Sequence, residues 1–543
     1  MNFSSAKHIE EIIHSIKEAD QPRSDVRAEL NRLFNGKPPW DADEVEQSGI
    51  HTNVPRLDGV KLLADARRSL YNAFLNPTNF FAATLDFGPA RSRSKFSQIV
   101  TSQINRVMKD SLPYMETIRS KIASIVLNGP GPVHWPDTYH WKNNFVALGD
   151  LLIPSNTLLS MENLTHFAIL KRYTAPELSD KINRKNADPS WNIPLCKSAI
   201  KWAMKQAAGS SSSYTGTPEA LEQRLAADGG VLGTDAAPTI DTWDFYFLSD
   251  AGGKTGWRRR MVLDTPTDGS VRGSFPNKNL IGEEHGQWLY DGGNKVYAPE
   301  LSQILHFQFG DLSAVPPFKY HTQRSLGWLI YAPCHLQNRL WCKRNDATFE
   351  NLLNYIETDS PDQDTRLVKV DLHNYSVLQP GVRFVKQQDR WQINHGLIEG
   401  TMADNRNMLN EAASQYREGR DNQSGKEKTA TEIMAEVNSA NALVGSMLLL
   451  AYTYETANYQ EIVRRFFLKN SGAPAVAKFR LEVLKRGVPE KMLDICYWRI
   501  EPEKVLGSGN KMLQTAMADK LMAIRPLLDP DSQRDVIRLY VAA

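Results

Sequence analysis

The residues that most resemble a phosphate-binding loop are Gly253-Lys254-Thr255. A phosphate loop carries a second glycine with four residues between it and the Gly-Lys-Thr triplet, whereas this chain has Leu248 there, inside a predicted strand. We therefore interpret residues 250–254 as a hairpin turn. Gly507-Ser508-Gly509 lacks the preceding strand and the further glycines of a dinucleotide fingerprint, so it predicts a loop.

Two groups of residues could be taken for metal ligands. His8 and His14 lie six apart on a predicted terminal helix, a spacing that does not bring both rings to one face, so surface histidines are expected. Asp359, Asp362 and Asp364 surround a Ser-Pro pair in a predicted tip loop, where solvated carboxylates are the ordinary filling. The sequence therefore predicts no metal and no other cofactor.

The cysteines do not indicate catalysis or cross-linking. No CxxC pair occurs, and Cys334 and Cys342 fall in one helical stretch, where we expect them to pack rather than to react. HExxH and GxSxG are also absent from the sequence, and no nucleophile stands near a base in a known arrangement. These observations predict a protein that is not an enzyme, in a reducing compartment.

Length and charge limit the class of protein. The 543 residues suggest about three domains or one elaborated unit, and 41% hydrophobic residues exclude wholesale disorder. With 64 Lys and Arg against 62 Asp and Glu, the net charge is only +2, which argues against binding nucleic acid through bulk attraction. The N-terminus lacks a signal-peptide pattern, and the apolar stretch 443–452 is too short for a bilayer, so a soluble intracellular protein is expected.

The first half predicts helices followed by a β module. Apolar residues at helical spacing predict helices at 60–75, 94–112 and 114–127, and the segment 61–125 has ten basic and four acidic residues. A solvated helix face is the simplest explanation of that excess. Strand patterns then recur between 133 and 310, with a capped helix beginning after Thr174 and a Gly/Ser-rich loop at 206–240.

The second half predicts an out-and-back hairpin. A helix covers about 323–357, broken locally at Pro333; strand-like pieces follow at 367–372 and 382–385, and a second helix spans about 396–419. A polar loop leads to a long helix that starts with the capping-box spacing of Thr429 and Glu432 and continues toward Phe466. Charge is balanced along the hairpin, with five basic and five acidic residues in 358–395 and five against six in 396–428.

Several segments of this sequence resemble the portal (head–tail connector) proteins of short-tailed bacteriophages. The similarity is carried by Glu411–Ala413, Tyr416–Arg420 and Gly425–Ile433 within 405–466, by Ala147–Ser155 and Phe167–Leu178, and by Ile500–Gly507 with the closing helix. Their order and spacing carry the resemblance, which covers most of the chain except about 206–300.

The resemblance implies an α+β, mainly α-helical fold of the portal type, assembled as a ring that usually has twelve subunits. It assigns residues 1–322 to a helical wing with the embedded β module at 133–310, and 429–469 to a long wing helix. Residues 323–357 and 395–419 would form the stem helix hairpin, 358–394 a small β clip, 420–428 a tunnel loop and 470–543 a helical crown.

The resemblance also implies sites and partners. The channel and tunnel loop would comprise Arg417, Arg420, Asp421, Asn422, Gln423, Ser424, Gly425, Lys426 and Lys428. The clip, which would contact the packaging motor and later the tail adaptor proteins, would present Arg366, Lys369, Asp371, Arg383, Lys386 and Arg390. The implied partners are double-stranded DNA in the channel, the major capsid and scaffolding proteins, the terminase large subunit and further copies of the chain, with no membrane.

By the same resemblance, the protein would be made in the host bacterial cytoplasm and would reside in the virion, at one capsid vertex. Two other classes stay open at this point. A head or tail structural protein other than a portal would share the lack of catalytic motifs but would form no hollow ring. A packaging-associated nuclease or ATPase would need a site that the sequence does not display.

Overall fold

The computed structural model describes residues 5–48, 51–75, 79–184, 188–208, 239–250, 253–264, 287–309, 318–351, 354–358, 368–370, 382–384, 399–407, 451–469 and 473–503, with the isolated positions 3, 471, 522 and 533. Helices and strands are mixed throughout these ranges. The α+β class predicted from the sequence is therefore confirmed. Within the described residues, no helix combines the length and the apolar character needed to cross a membrane.

The described helices are α1 (Ala6–Phe34), α2 (Ala42–Ser48), α3 (Asp58–Leu75), α4 (Ala90–Lys109), α5 (Leu112–Leu127), α6 (Ala175–Asn183), α7 (Ile193–Ala208), α8 (Leu326–Asn351), α9 (399–407), α10 (451–467) and α11 (Pro474–Lys485). The strands are β1 (Phe81–Leu85), β2 (Pro130–His134), β3 (Asn144–Phe145), β4 (Leu151–Leu152), β5 (His166–Thr174), β6 (Thr239–Ser249), β7 (Gly256–Leu263), β8 (Tyr290–Asp291), β9 (Leu305–Phe309), β10 (Asn354–Thr358), β11 (Val368–Val370), β12 (Val382–Phe384) and β13 (Trp498–Pro502).

A helical core is built from α3, α4, α5, α10 and α11. The apolar stripe of α3, which includes Leu62, Ala66 and Leu70, is buried against Ile118 and Ile122 of α5, as the helical spacing predicts. The three helices expected between 60 and 127 are confirmed, with boundaries within about four residues. The strand β1, which follows α3, was not predicted.

β1 forms a two-stranded antiparallel sheet with β13, in which Phe81 is opposite Pro502 and Leu85 is opposite Trp498. Val476 and Phe479 of α11 and Ile500 of β13 are buried in the same core as α3–α5. Residues 473–502 are therefore part of the same packed body. The reason is the pairing of β13 with a strand more than 400 residues earlier, which no local pattern reveals.

The predicted β module is confirmed as two sheets. One has the strand order β4-β5-β6-β7-β8 and the other the order β3-β2-β9, and every pairing in them is antiparallel. Gly253 lies in the connection between β6 and β7 with a positive φ of 75°, so the interpretation of this glycine as part of a hairpin turn is confirmed. Thr174 caps α6 in a reciprocal capping box with Glu177, as expected.

The long first helix joins the β module to the helical core. Near its start, Ile9, Ile13 and Ile16 pack on the five-stranded sheet, where Phe245 and Val262 are buried. Near its end, Leu33 enters the core around α3. His8 and His14 lie on its solvent side, about half exposed, next to Glu11 and Glu18, so the prediction of surface histidines is confirmed.

The helix α10 has polar residues on a buried face. Glu455 accepts a hydrogen bond from Lys121 of α5 at 2.7 Å, and both side chains are at most 3% exposed. Asn458 donates to Glu455 at 2.5 Å and accepts from Asn143 at 2.9 Å. Burial lowers the pKa of the neighbouring His306 to about 4, so at neutral pH this ring adds no second positive charge beside Lys121.

The other end of this polar face is Arg465, which is fully buried. Its guanidinium pairs with Glu461 at 2.6 Å and donates to three backbone carbonyls, those of Asp137, His140 and Gln303, at 2.6–2.7 Å. It also lies 4.9 Å from the ring centre of Trp135. Arg465 therefore fastens α10 to the loops of the β module.

The start of α8 approaches the end of α5 very closely. Ser325 donates to the Leu127 carbonyl at 2.5 Å. A Cβ atom placed on Gly327 would lie 2.3 Å from the same carbonyl oxygen, a distance that real Cβ atoms essentially never show. The crossing of α5 and α8 therefore requires glycine at position 327.

We expect Gly327→Ala to lower the melting temperature, because the clash with backbone at Leu127 outweighs the better helix propensity of alanine; overpacking of this kind costs about 1–3 kcal/mol. Gly400→Ala is the matched control, since a Cβ there meets nothing within 4 Å and the change should be neutral or stabilising. Thermal unfolding followed by circular dichroism measures both. Equal melting temperatures for the two variants would contradict the close crossing.

Candidate functional site: the out-and-back hairpin

The first helix of the predicted hairpin is α8, Leu326–Asn351. Two details of the prediction are wrong. The helix is continuous through Pro333, because Ile330 and Cys334 on either side are buried in the helical core and hold this turn in place. The helix also ends before 354–358, a segment whose Tyr355, Ile356 and Thr358 favour a strand and which forms β10.

A segment before α3, residues 51–57, lies along α8 and is here called the strap. Asp346 accepts hydrogen bonds from the backbone N–H groups of His51 and Thr52 at 3.1 and 2.6 Å, and Asn338 accepts from that of Arg56 at 3.2 Å. Asp346 and Asn338 are both buried. The strap thus satisfies its backbone donors with side chains of α8, which fixes it to the helix.

One aromatic ring also contacts α8. The Arg339 guanidinium lies 4.2 Å from the ring centre of Trp40, and the Lys343 ammonium lies 5.6 Å from it. Arg339 further pairs with Glu44 of α2 at 3.3 Å. Contacts between a cation and an aromatic ring contribute about 0.5–2 kcal/mol each, so Trp40 and Glu44 anchor the region before the strap to this helix.

Burial keeps two thiols and one imidazole of α8 uncharged at neutral pH. Burial raises the pKa of the Cys334 thiol to about 12 and also raises that of Cys342, which keeps both thiols protonated at neutral pH. Burial lowers the pKa of His335, so this ring is neutral. The expectation that the two cysteines pack in the interior is confirmed, and no disulfide joins any of the four cysteines of the chain.

The strands after α8 form a small antiparallel sheet with the order β11-β10-β12. Ile356 is opposite both Val368 and Phe384, while Lys369 is opposite Tyr355 and Arg383 is opposite Glu357. The predicted strand-like pieces are confirmed as β11 and β12, and the central strand β10 was not predicted.

Two of the predicted clip residues, Lys369 and Arg383, lie in this sheet. The remaining four, Arg366, Asp371, Lys386 and Arg390, lie outside the described residues. The whole predicted tunnel-loop set, from Arg417 to Lys428, also lies outside them, as do Thr429, Gly507–Gly509 and Asp359, Asp362 and Asp364.

After the sheet, the chain returns beside α8. Arg344 of α8 pairs with Glu399 of α9 at 2.9 Å, and Met402 and Asn405 of α9 are buried. An ion pair this exposed contributes at most about 1 kcal/mol to the stability of the fold. It matters here because it shows which parts of the two helices are neighbours. It shows that the described part of the returning helix starts next to the far end of the outgoing one, as the out-and-back prediction requires.

An apolar stripe on the outer side of α8 was also missed by the sequence analysis. Leu329 and Leu336, two turns apart, are 43% and 44% exposed, with the exposed Ala332 between them. Ile330, Cys334 and Cys342 are buried on the opposite side. The sequence signal is that the apolar residues of α8 itself are distributed around the whole helix. This pattern is typical of helices that are covered on all sides in their final assembly.

In the part of the chain that the structure describes, no group of three or more His, Cys, Asp or Glu side chains is placed to hold a metal ion.

A scan against models of protein families finds no match for this sequence, and a search of curated proteins finds no significant relative.

We expect Asp346→Ala to release the strap, because two backbone N–H groups lose a carboxylate acceptor, at about 1–3 kcal/mol for each unsatisfied group. Limited trypsinolysis measures this as faster cleavage after Arg56, which lies within the strap. Asp404→Ala, an exposed carboxylate on α9, is the control and should leave the cleavage rate unchanged. Equal rates in the two variants would show that Asp346 does not hold the strap.

Proposed function

We propose that this chain is the subunit of a bacteriophage portal, a ring-shaped channel at one capsid vertex through which double-stranded DNA enters during packaging and leaves during ejection. The observation that carries the proposal is the out-and-back hairpin: a helix leaves a mixed α/β body, a small sheet follows, and the chain returns beside the same helix. The resemblance to portal sequences supports it independently.

In this proposal, the hairpin and the larger part of the body have defined places in the ring. α8 and α9 are the stem, and β10–β12 are the clip, which docks the terminase large subunit during packaging and the tail adaptor proteins afterwards. The body from α1 to β9, with α10, is the wing, which faces the major capsid and scaffolding proteins. The particle is a homo-oligomer, with twelve subunits as the usual number, and it resides in the virion.

The charges along the hairpin suit a passage for DNA. Every phosphate contact adds affinity and therefore friction, so a channel that must pass any sequence should avoid a strongly basic wall. Within the small sheet, the register places Arg383 opposite Glu357, so a positive and a negative position face each other. The near-balance of basic and acidic residues from 358 to 428 supports the same conclusion.

The outer stripe of α8 gives the proposed ring a testable interface. Leu329 and Leu336 expose apolar surface on the helix that the proposal places next to neighbouring subunits. A ring uses a repeated head-to-tail contact, and each such contact should cover this stripe with another copy of the chain. Each leucine is already more than half buried within the subunit, so covering the rest contributes about 1 kcal/mol per side chain at each interface.

We expect the double variant Leu329→Glu/Leu336→Glu to abolish the ring while the subunit remains folded, because both side chains are already exposed within the chain. Light scattering coupled to size exclusion should give a mass near twelve subunits for the parent protein and near one for the variant. The control Leu112→Glu alters a leucine that is 76% exposed, at the start of α5, where a negative charge favours the helix. A parent protein that is monomeric, or a variant with unchanged mass, would contradict the proposal.

A further inference from the structure

A second surface of the body combines exposed cations from two packed helices. Lys61, Arg67 and Arg68 lie on the solvent side of α3, and Arg119 lies on that of α5. These four residues are here called the basic surface. α3 and α5 pack against each other along one side of the helical core, and Tyr71 of α3 contacts Arg119 directly.

Arg67 and Arg68 differ from most arginines in this structure. Elsewhere in the described ranges, arginines are commonly held by a carboxylate or a carbonyl group, as in Arg172, Arg259 and Arg465. For Arg67 and Arg68, no such partner lies among the described residues. Their charges are therefore available to a ligand at no cost in broken ion pairs.

Arg119 is held in place and still open to solvent. Its Nε donates to the Tyr71 hydroxyl at 2.5 Å, and the guanidinium carbon lies 5.5 Å from the centre of the Tyr71 ring. These contacts leave the two terminal NH₂ groups of the guanidinium for a further acceptor. A planar fork positioned in this way matches two oxygens of a phosphate, and its side chain loses less conformational entropy on binding than a mobile one.

The two helices also carry acids, which limit the strength of the surface. Asp65 and Glu116 are exposed on α3 and α5, while Asp58 of α3 is paired with Arg56 at 2.8 Å. The four cations therefore leave an excess of two positive charges. This excess falls within the segment 61–125, whose six-charge surplus contrasts with the balanced hairpin. The surface should therefore bind a polyanion weakly and reversibly, and lose it at high salt.

We infer that the basic surface binds the phosphate backbone of duplex DNA on the outside of the ring, separately from the channel. This inference rests on the proposed function, since that function makes duplex DNA the polyanion present at high concentration around the protein. Arg67, Arg68 and Arg119 would each contact one phosphate and read no base, because phosphate contacts position a duplex without specifying its sequence. Such contacts would order the DNA that lies next to the body.

Covalently closed circular duplex DNA separates this surface from the channel, since a circle has no end that can thread a ring. We would measure binding of the full-length protein to a closed circle between 50 and 200 mM salt. The triple variant Arg67→Gln/Arg68→Gln/Arg119→Gln removes three contacts. It should reduce the slope of log affinity against log salt by about 2–3, because each phosphate contact contributes about 0.9.

The matched control is Lys478→Gln/Lys485→Gln/Lys491→Gln, which removes the same charge from exposed lysines on α11 and the turn after it and should keep the parent slope. Equal slopes for the triple variant and its control would overturn the inference, as would binding of linear DNA but not of circles. A parent protein that forms no ring contradicts the proposed function instead. The two failures are therefore distinguishable.

Discussion

The buried polar face of α10 is the constraint on which the rest of the structure depends. Glu455, Glu461 and Arg465 are almost fully removed from solvent, and each is paired within the protein. Removing one partner of a buried pair typically costs about 3–5 kcal/mol, because the remaining charge stays desolvated and unpaired. A helix with such groups therefore has one permitted position and rotation.

This single position organises the body. Through Lys121, α10 is tied to α5, and through the carbonyls that Arg465 binds it is tied to the loops around β2 and β9. α5 in turn is crossed by α8 at Gly327. The first helix of the hairpin, α8, is thus fixed at its start by close backbone packing and along its length by the strap. An element that projects from a body requires such a fixed base. In the proposed portal, a force applied at the clip would be transmitted to the wing through these contacts.

The sequence correctly predicted the elements that depend on interactions between residues close together in the chain. The helices α3–α5 follow from apolar spacing, α6 from its Thr174 capping box, and the β6–β7 hairpin from strand-forming segments on both sides of Gly253. The position of the hairpin followed from the same patterns. Its detail differed at Pro333, where burial of the neighbouring residues overrode the helix-breaking tendency of proline.

The remaining features depend on contacts between distant residues. The pairing of β1 with β13 links residues more than 400 apart, and neither strand has partners nearby in sequence. Arg465 and Glu455 have the types of residue expected at a surface, and only the carbonyl groups and Lys121 that surround them show why they are buried. The strap was missed for the same reason, because its acceptors Asn338 and Asp346 lie nearly 300 residues later in the chain.

The most direct test of the central claim is an image of the purified full-length protein by electron microscopy. We predict top views with about twelve radial spokes around a central hole, and side views in which a narrow stem, formed by α8, α9 and the small sheet, projects from a wider body. Filaments, sheets or single subunits at micromolar concentration would contradict the portal assignment.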